Sequence, residues 1–217
     1  MKKLCALILA AACLSACDAP SPPPAASVSA PLFHAEALVD PQYGRDFRLT
    51  DHNGQTRTLA DWRGKVVLIF FGYTQCPDVC PSALYRSAQV MERLGSQAEK
   101  VQMLFITLDP ARDTPELLRT YVPSFHPSFL GLFASEEQTP QLARDFQVFY
   151  RINPGQTPGS YTVDHSVTTY AYDPAGRLRL AIRHDITPEE LAEDIQRLLT
   201  EAAVSEPSGA TAPPHGA

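Results

Sequence analysis

At 217 residues, with 44% apolar and 19% charged side chains, the chain has the composition of one globular domain with length to spare, and too little for two full-sized ones. Its formal charge of −6, from 24 acidic against 18 basic residues, supplies no basic field for a phosphate backbone, so nucleic acid is not expected as a partner. Twenty prolines, crowded toward the two ends, suggest a folded middle between two unstructured arms.

At the N-terminus Lys2 and Lys3 precede an apolar run from Leu4 to Leu14, too short to span a bilayer and suited to a signal-peptide core. It ends in Leu14-Ser15-Ala16-Cys17, which resembles the lipobox of bacterial lipoproteins, where a peptidase cuts before a cysteine that carries lipid. An ordinary secretory signal cleaved nearby is the alternative. Residues 1–16 are thus expected to be removed, Cys17 to hold the chain to the cell membrane facing the periplasm or exterior, and Asp18 to favour the inner membrane. Cys5 and Cys13 then leave with the signal, and only Cys76 and Cys80 remain as free thiols. So short a loop gains little from a disulfide staple, so a structural bridge explains the pair poorly. Residues 17–36 read as a lipidated cysteine and Pro-rich tether; its fourteen residues from Asp18 to Pro31 would reach roughly 40 Å in polyproline geometry. Residues 37–202 read as the domain, and 203–217 as a disordered tail in which His215 is inert or captures metal weakly.

The domain opens with Phe47 and Leu49, a turn at Asp51-His52-Asn53-Gly54, and Thr56, Thr58 and Leu59, an N-terminal hairpin. Val66 to Phe71 is a run of six apolar residues, the pattern of a strand buried on both faces. A loop with Cys76-Pro77-Asp78-Val79-Cys80-Pro81 follows, then a helix through Leu84, Ala88, Met91 and Leu94 that stops at Gly95. A second strand spans Val101 to Leu108, and Asp113-Thr114-Pro115-Glu116 starts a second helix. Phe129 to Phe133 reads as a short strand, and Ser135 as the cap of a helix reaching Phe146. Val167, Thr169 and Ala171, a turn at 173–176, and Leu178, Leu180 and Ile182 form a closing hairpin. Thr187-Pro188-Glu189-Glu190 is a capping box for a last helix through Leu191, Ile195, Leu198 and Leu199. The order predicts an α/β fold, a central mixed sheet with flanking helices.

Three motifs, Phe70 to Pro81, Asp109-Pro110-Ala111-Arg112-Asp113-Thr114-Pro115, and Val163-Asp164-His165, occur in an order that resembles the Sco/SenC family over roughly residues 37 to 200. Gln75 departs from a histidine often found there in that family. The resemblance implies a thioredoxin-like fold and a copper metallochaperone for the binuclear copper centre of cytochrome c oxidase. It also implies as partners a copper-bearing oxidase subunit and a copper donor protein.

The residues support that chemistry independently. Pro81 must lie within the first turn of its helix, which places the cysteine segment at the helix N-terminus, where unpaired N–H groups favour thiolate. Two thiolates one turn apart suit copper(I), and a neutral imidazole would add copper(II); zinc would want a fourth ligand. From spacing alone His165 reads as an ordinary surface or core residue, whereas the resemblance makes it the third copper ligand beside Cys76 and Cys80. His34, His52, His126 and His184 read as solvated or structural, and Trp62, Phe70 and Phe71 as core. Asp78 and Asp164 either orient the ligands or serve only their own loops. Asp109, Arg112 and Asp113 read as a turn and helix cap, with an ion pair holding the site, or a docking patch, as the other choices. A second function class remains open: a thiol–disulfide oxidoreductase that uses Cys76 and Cys80 as its catalytic dithiol to keep the oxidase's cysteines reduced. A peroxidase of the same fold has little support.

Overall fold

The structure is a computed structural model that describes residues 32–205; the signal segment, Cys17, the tether up to Pro31 and the chain beyond residue 205 lie outside the described residues. Ten strands and four α-helices follow in chain order: β1 (Glu36–Ala37), β2 (Leu49–Asp51), β3 (Thr56–Arg57), β4 (Val66–Gly72), α1 (Val79–Leu94), β5 (Val101–Thr107), α2 (Pro115–Tyr121), β6 (Leu130–Phe133), α3 (Thr139–Asp145), β7 (Tyr150–Pro154), β8 (Tyr161–His165), β9 (Thr169–Tyr172), β10 (Leu178–Ile182) and α4 (Pro188–Ser205). Eight strands make one mixed sheet in the order β1-β10-β9-β4-β5-β6-β2-β3, while β7 and β8 form a separate ribbon.

All seven residues of β4 and all seven of β5 are buried, as the unbroken apolar run of β4 and the largely apolar β5, with Gln102 and Thr107 as its polar members, require at the centre of a sheet. Alternation then divides the core. Val66, Leu68, Phe70, Met103 and Phe105 face a layer holding α1, α4 and Leu118 of α2. Val67, Ile69, Phe71, Leu104 and Ile106 face Trp62, Leu142 of α3 and Phe146. Helices therefore cover both faces, and Trp62, Phe70 and Phe71 are core residues. The parallel β4–β5 pair is joined by α1, so the start of α1 stands at the carboxyl end of β4, where loops of such sheets carry function.

The N-terminal hairpin forms as β2 and β3, turned by Gly54 at a φ of 82°, and docks on β6 at the sheet's far edge. The closing hairpin forms as β9 and β10. Three differences from the sequence reading have physical causes. The helix expected from Ser135 starts only at Thr139, because Pro140 fits only a first turn; Ser135 instead accepts the Thr139 N–H at 3.0 Å in the preceding turn. The chain enters the body before residue 37: Phe33 and Ala35 are buried, β1 pairs with β10, and the buried Asp194 carboxylate of α4 accepts the His34 and Ala35 N–H groups at 2.9 and 2.8 Å. Finally, the β7–β8 ribbon has no counterpart in the sequence reading. Its strands do alternate, at Tyr150 and Ile152 and at Tyr161 and Val163, but each run lasts only two periods and only Val163 is fully buried, so neither stands out as a strand in the sequence.

Candidate metal centre

The cysteine segment straddles the boundary between loop and helix. Cys76 lies in the turn after β4, Asp78 is the residue before α1, and Cys80 and Pro81 occupy the first turn of α1. Cys80 donates its backbone N–H to the Cys76 sulfur at 3.5 Å, one of the free groups that a helix N-terminus provides. Both thiols are free, and Cys80 is fully buried.

His165 ends β8 and meets the cysteines from the opposite side. Its Nε2 stands 3.3 Å from Cys80 Sγ, while Nδ1 lies 2.8 Å from the Ser166 carbonyl. A carbonyl only accepts, so Nδ1 carries the proton and the Nε2 lone pair faces the thiols. Phe70 and Tyr73 hold the ring edge to face, at centroid distances of 6.0 and 5.9 Å. The two sulfurs and an imidazole nitrogen lie within 4.8 Å of one another. Gly72 makes room for this: a Cβ there would stand 2.7 Å from Cys80 Sγ and about 3 Å from the Phe105 ring.

The pair is electrostatically uneven. The Cys76 thiol is pulled down to about 4, first by the hydrogen bond from the Cys80 side chain, against the cost of burial, with the Asp78 and Cys80 N–H groups adding to it. Cys80 is pushed up, by its role as donor to Cys76 and by burial. The pair thus titrates as a coupled unit in which Cys76, the less buried sulfur, carries the lowered thiol.

The residues with two readings separate clearly. Asp109 and Arg112 form a buried ion pair, and Thr114, not Asp113, caps α2 by accepting the Leu117 N–H at 3.3 Å. Asp113 is buried and reaches the cysteine loop instead, accepting the Thr74 N–H at 3.0 Å and the Thr107 hydroxyl at 2.6 Å. The plain turn-and-cap reading of these three residues is thereby corrected: the motif braces the site, and its long-range partners carry no local sequence signal. Asp78 is exposed and makes no capping bond with its side chain. Asp164 alternates to the ribbon's outer face, where it pairs with Arg151 at 3.1 Å, so neither aspartate side chain orients a ligand. His52 is buried and accepts the Gly131 N–H at 3.1 Å, and His34 pairs with Glu193 on the surface, both structural as read.

Two soft sulfurs and one nitrogen, with no carboxylate among them, fit a thiophilic ion of low coordination number and leave zinc a ligand short. The same two thiols can also cycle to a disulfide.

The chain resembles known proteins. The SCO1/SenC family model matches residues 35–200. The bovine mitochondrial protein SCO2 homolog is 40% identical over 165 residues, covering 75% of this chain and 62% of its own. The chain spans less than two thirds of the length of that curated relative. Among solved structures, copper-bound ScoI of Bradyrhizobium japonicum superposes with a TM-score of 0.65 at 39% identity, covering 70% of this chain and 97% of its own. Copper-bound yeast Sco1 does so with a TM-score of 0.67 at 32% identity, covering 77% and 96%.

Proposed function

The chain belongs to the SCO1/SenC family, and from that premise we propose that it binds copper through Cys76, Cys80 and His165 and passes it to the binuclear copper centre of cytochrome c oxidase. The observation that carries this reading is the convergence of the two sulfurs and Nε2 within 4.8 Å, from elements 85 residues apart. The copper-bound relatives support it. Copper is here the cargo. Three ligands hold it without closing the coordination shell, so an acceptor's sulfur or nitrogen can enter before the chain's own ligands leave. The reading includes removal of residues 1–16 and lipid on Cys17, with the domain working at the outer face of the cell membrane.

The geometry of the two thiols also favours a second role: Cys76 keeps some surface and accepts the Cys80 N–H, while Cys80 is fully buried beside it. A low Cys76 and a raised Cys80 are the poise of an attacking and a resolving thiol. Cys76 thiolate would attack a substrate disulfide, Cys80 would release the mixed disulfide, and two substrate thiols would leave against one Cys76–Cys80 disulfide. Copper-ligating cysteines of the oxidase, kept reduced, are the natural substrate.

The test is titration of the reduced protein with copper(I) against a competing chelator. One ion per chain is expected, lost in the Cys76→Ser and Cys80→Ser variants and in the disulfide form. His165→Ala should weaken copper(I) only partly, since two thiolates suffice for linear binding, and should abolish or spectrally alter copper(II). If His165→Ala binds both copper states as the parent does, the histidine is no ligand and the dithiol role takes precedence.

A further inference from the structure

The geometry points to Arg112 as the residue that positions His165, an inference that rests on the copper reading above. The ribbon β7–β8 shares no ladder with the main sheet, so its placement over the cysteines depends on contacts at its ends and side chains. Arg112 supplies several at once. It is ion-paired with the buried Asp109, donates to the Tyr161 carbonyl at 3.0 Å, and stacks on the Tyr161 ring with its central carbon 3.5 Å from the centroid. The Tyr161 hydroxyl closes the circuit by donating to Asp109 at 2.7 Å. A further guanidinium bond, to Gln75 at 3.2 Å, reaches the residue just before Cys76.

Tyr161 opens β8 and His165 ends it. A strand is stiff, so holding its first residue fixes where its last one lies, about 13 Å further on. One planar cation thus ties the strand that bears the imidazole to the loop that bears the sulfur. Lysine cannot replace it, since an ammonium offers neither the fork nor the stacking face.

Arg112→Ala and Arg112→Lys should each lower copper(II) affinity by about tenfold to a hundredfold, the range for residues that orient metal ligands, and shift the copper(II) absorption and paramagnetic resonance spectra toward those of His165→Ala. Copper(I) affinity should move less. In the metal-free protein the amides of residues 161–165 should exchange faster. Arg57→Gln, which breaks the ion pair to buried Asp51 at 2.8 Å in the edge hairpin, is the structural control: it should lower thermal stability and leave spectra and ribbon exchange unchanged. In a His165→Ala background, Arg112→Ala should add nothing to the copper loss. An Arg112→Ala protein with parental copper(II) spectra and ribbon exchange overturns the inference, as does an additive loss in the double variant. If His165→Ala alone is neutral toward copper while Arg112→Ala still loosens the ribbon, the ligand reading fails and the positioning stands.

Discussion

Cys76 and Cys80 have the same side chain and sit one turn apart, yet their surroundings give them different chemistry. Cys76 keeps 9% of its surface exposed and collects donors, whereas Cys80 is sealed under Gly72 and Phe105 and has only a proton to give. The first cause of the low Cys76 value is therefore its neighbour. Cys80→Ala should move the pH profile of Cys76 alkylation by iodoacetamide upward from the acid range, while the remaining N–H donors keep it below that of an ordinary thiol. An unmoved profile would show that the helix terminus alone activates Cys76. The parent should carry one alkyl group per chain after brief labelling, on Cys76.

At the scale of elements, what the sequence makes legible is what burial or caps impose on contiguous residues. β4 announces itself as an unbroken apolar run and β5 as a largely apolar one, α1 by its spacing up to Gly95, and α4 by its capping box, in which the Thr187 N–H meets Glu190 at 2.9 Å. The ribbon and the brace are hidden for other reasons: the ribbon's alternation lasts only two periods on each strand, and Arg112 meets partners 37 and 49 residues away. His165 is legible as a candidate ligand only through its motif, because no spacing rule links it to a cysteine 85 residues earlier. Asp113 is the clearest case of a residue whose local reading, as part of a cap, hides its work between elements. Burial, and secondarily the charge of Asp109, raise its carboxyl above the usual range, against the three hydrogen bonds that favour the ionised form. A raised carboxyl stabilises the fold most below its unfolded value, and that contribution is lost as pH rises through the folded one. Asp113→Asn can keep the geometry, with its oxygen accepting from Thr74 N–H and Thr107 and its amide donating to the Thr74 hydroxyl. It should therefore flatten the decline of stability from the acid range toward neutrality and fold as well as the parent at pH 7. Asp113→Ala leaves buried donors unpaired and should cost about 1–3 kcal/mol in chemical denaturation. A steeper pH dependence in the Asn variant would contradict the assignment.

At the scale of the molecule, the proposed lipid on Cys17 would tether an acidic folded body. Loss of Lys2 and Lys3 with the signal would leave 16 basic against 24 acidic residues, a formal charge of −8. Such a body is repelled by anionic headgroups, so charge cannot hold it at a bilayer. No helix among the described residues is long and apolar enough to cross one. Under the proposed anchor the holding is done by lipid on Cys17, and a diacylated cysteine supplies the two chains that stable anchoring needs. The described body begins with buried Phe33, followed by the His34 and Ala35 N–H groups that Asp194 of α4 accepts and by β1 paired to β10. The parent should fractionate with membranes, resist extraction by high salt, and dissolve in detergent, with the lipid found on Cys17 by mass spectrometry. Cys17→Ser should accumulate as the unprocessed precursor. A chain begun at Leu32 should be soluble and bind copper like the parent, yet support oxidase assembly poorly at equal abundance. A mature N-terminus downstream of residue 17, or salt release of the parent, would overturn the anchor and leave the copper site untouched.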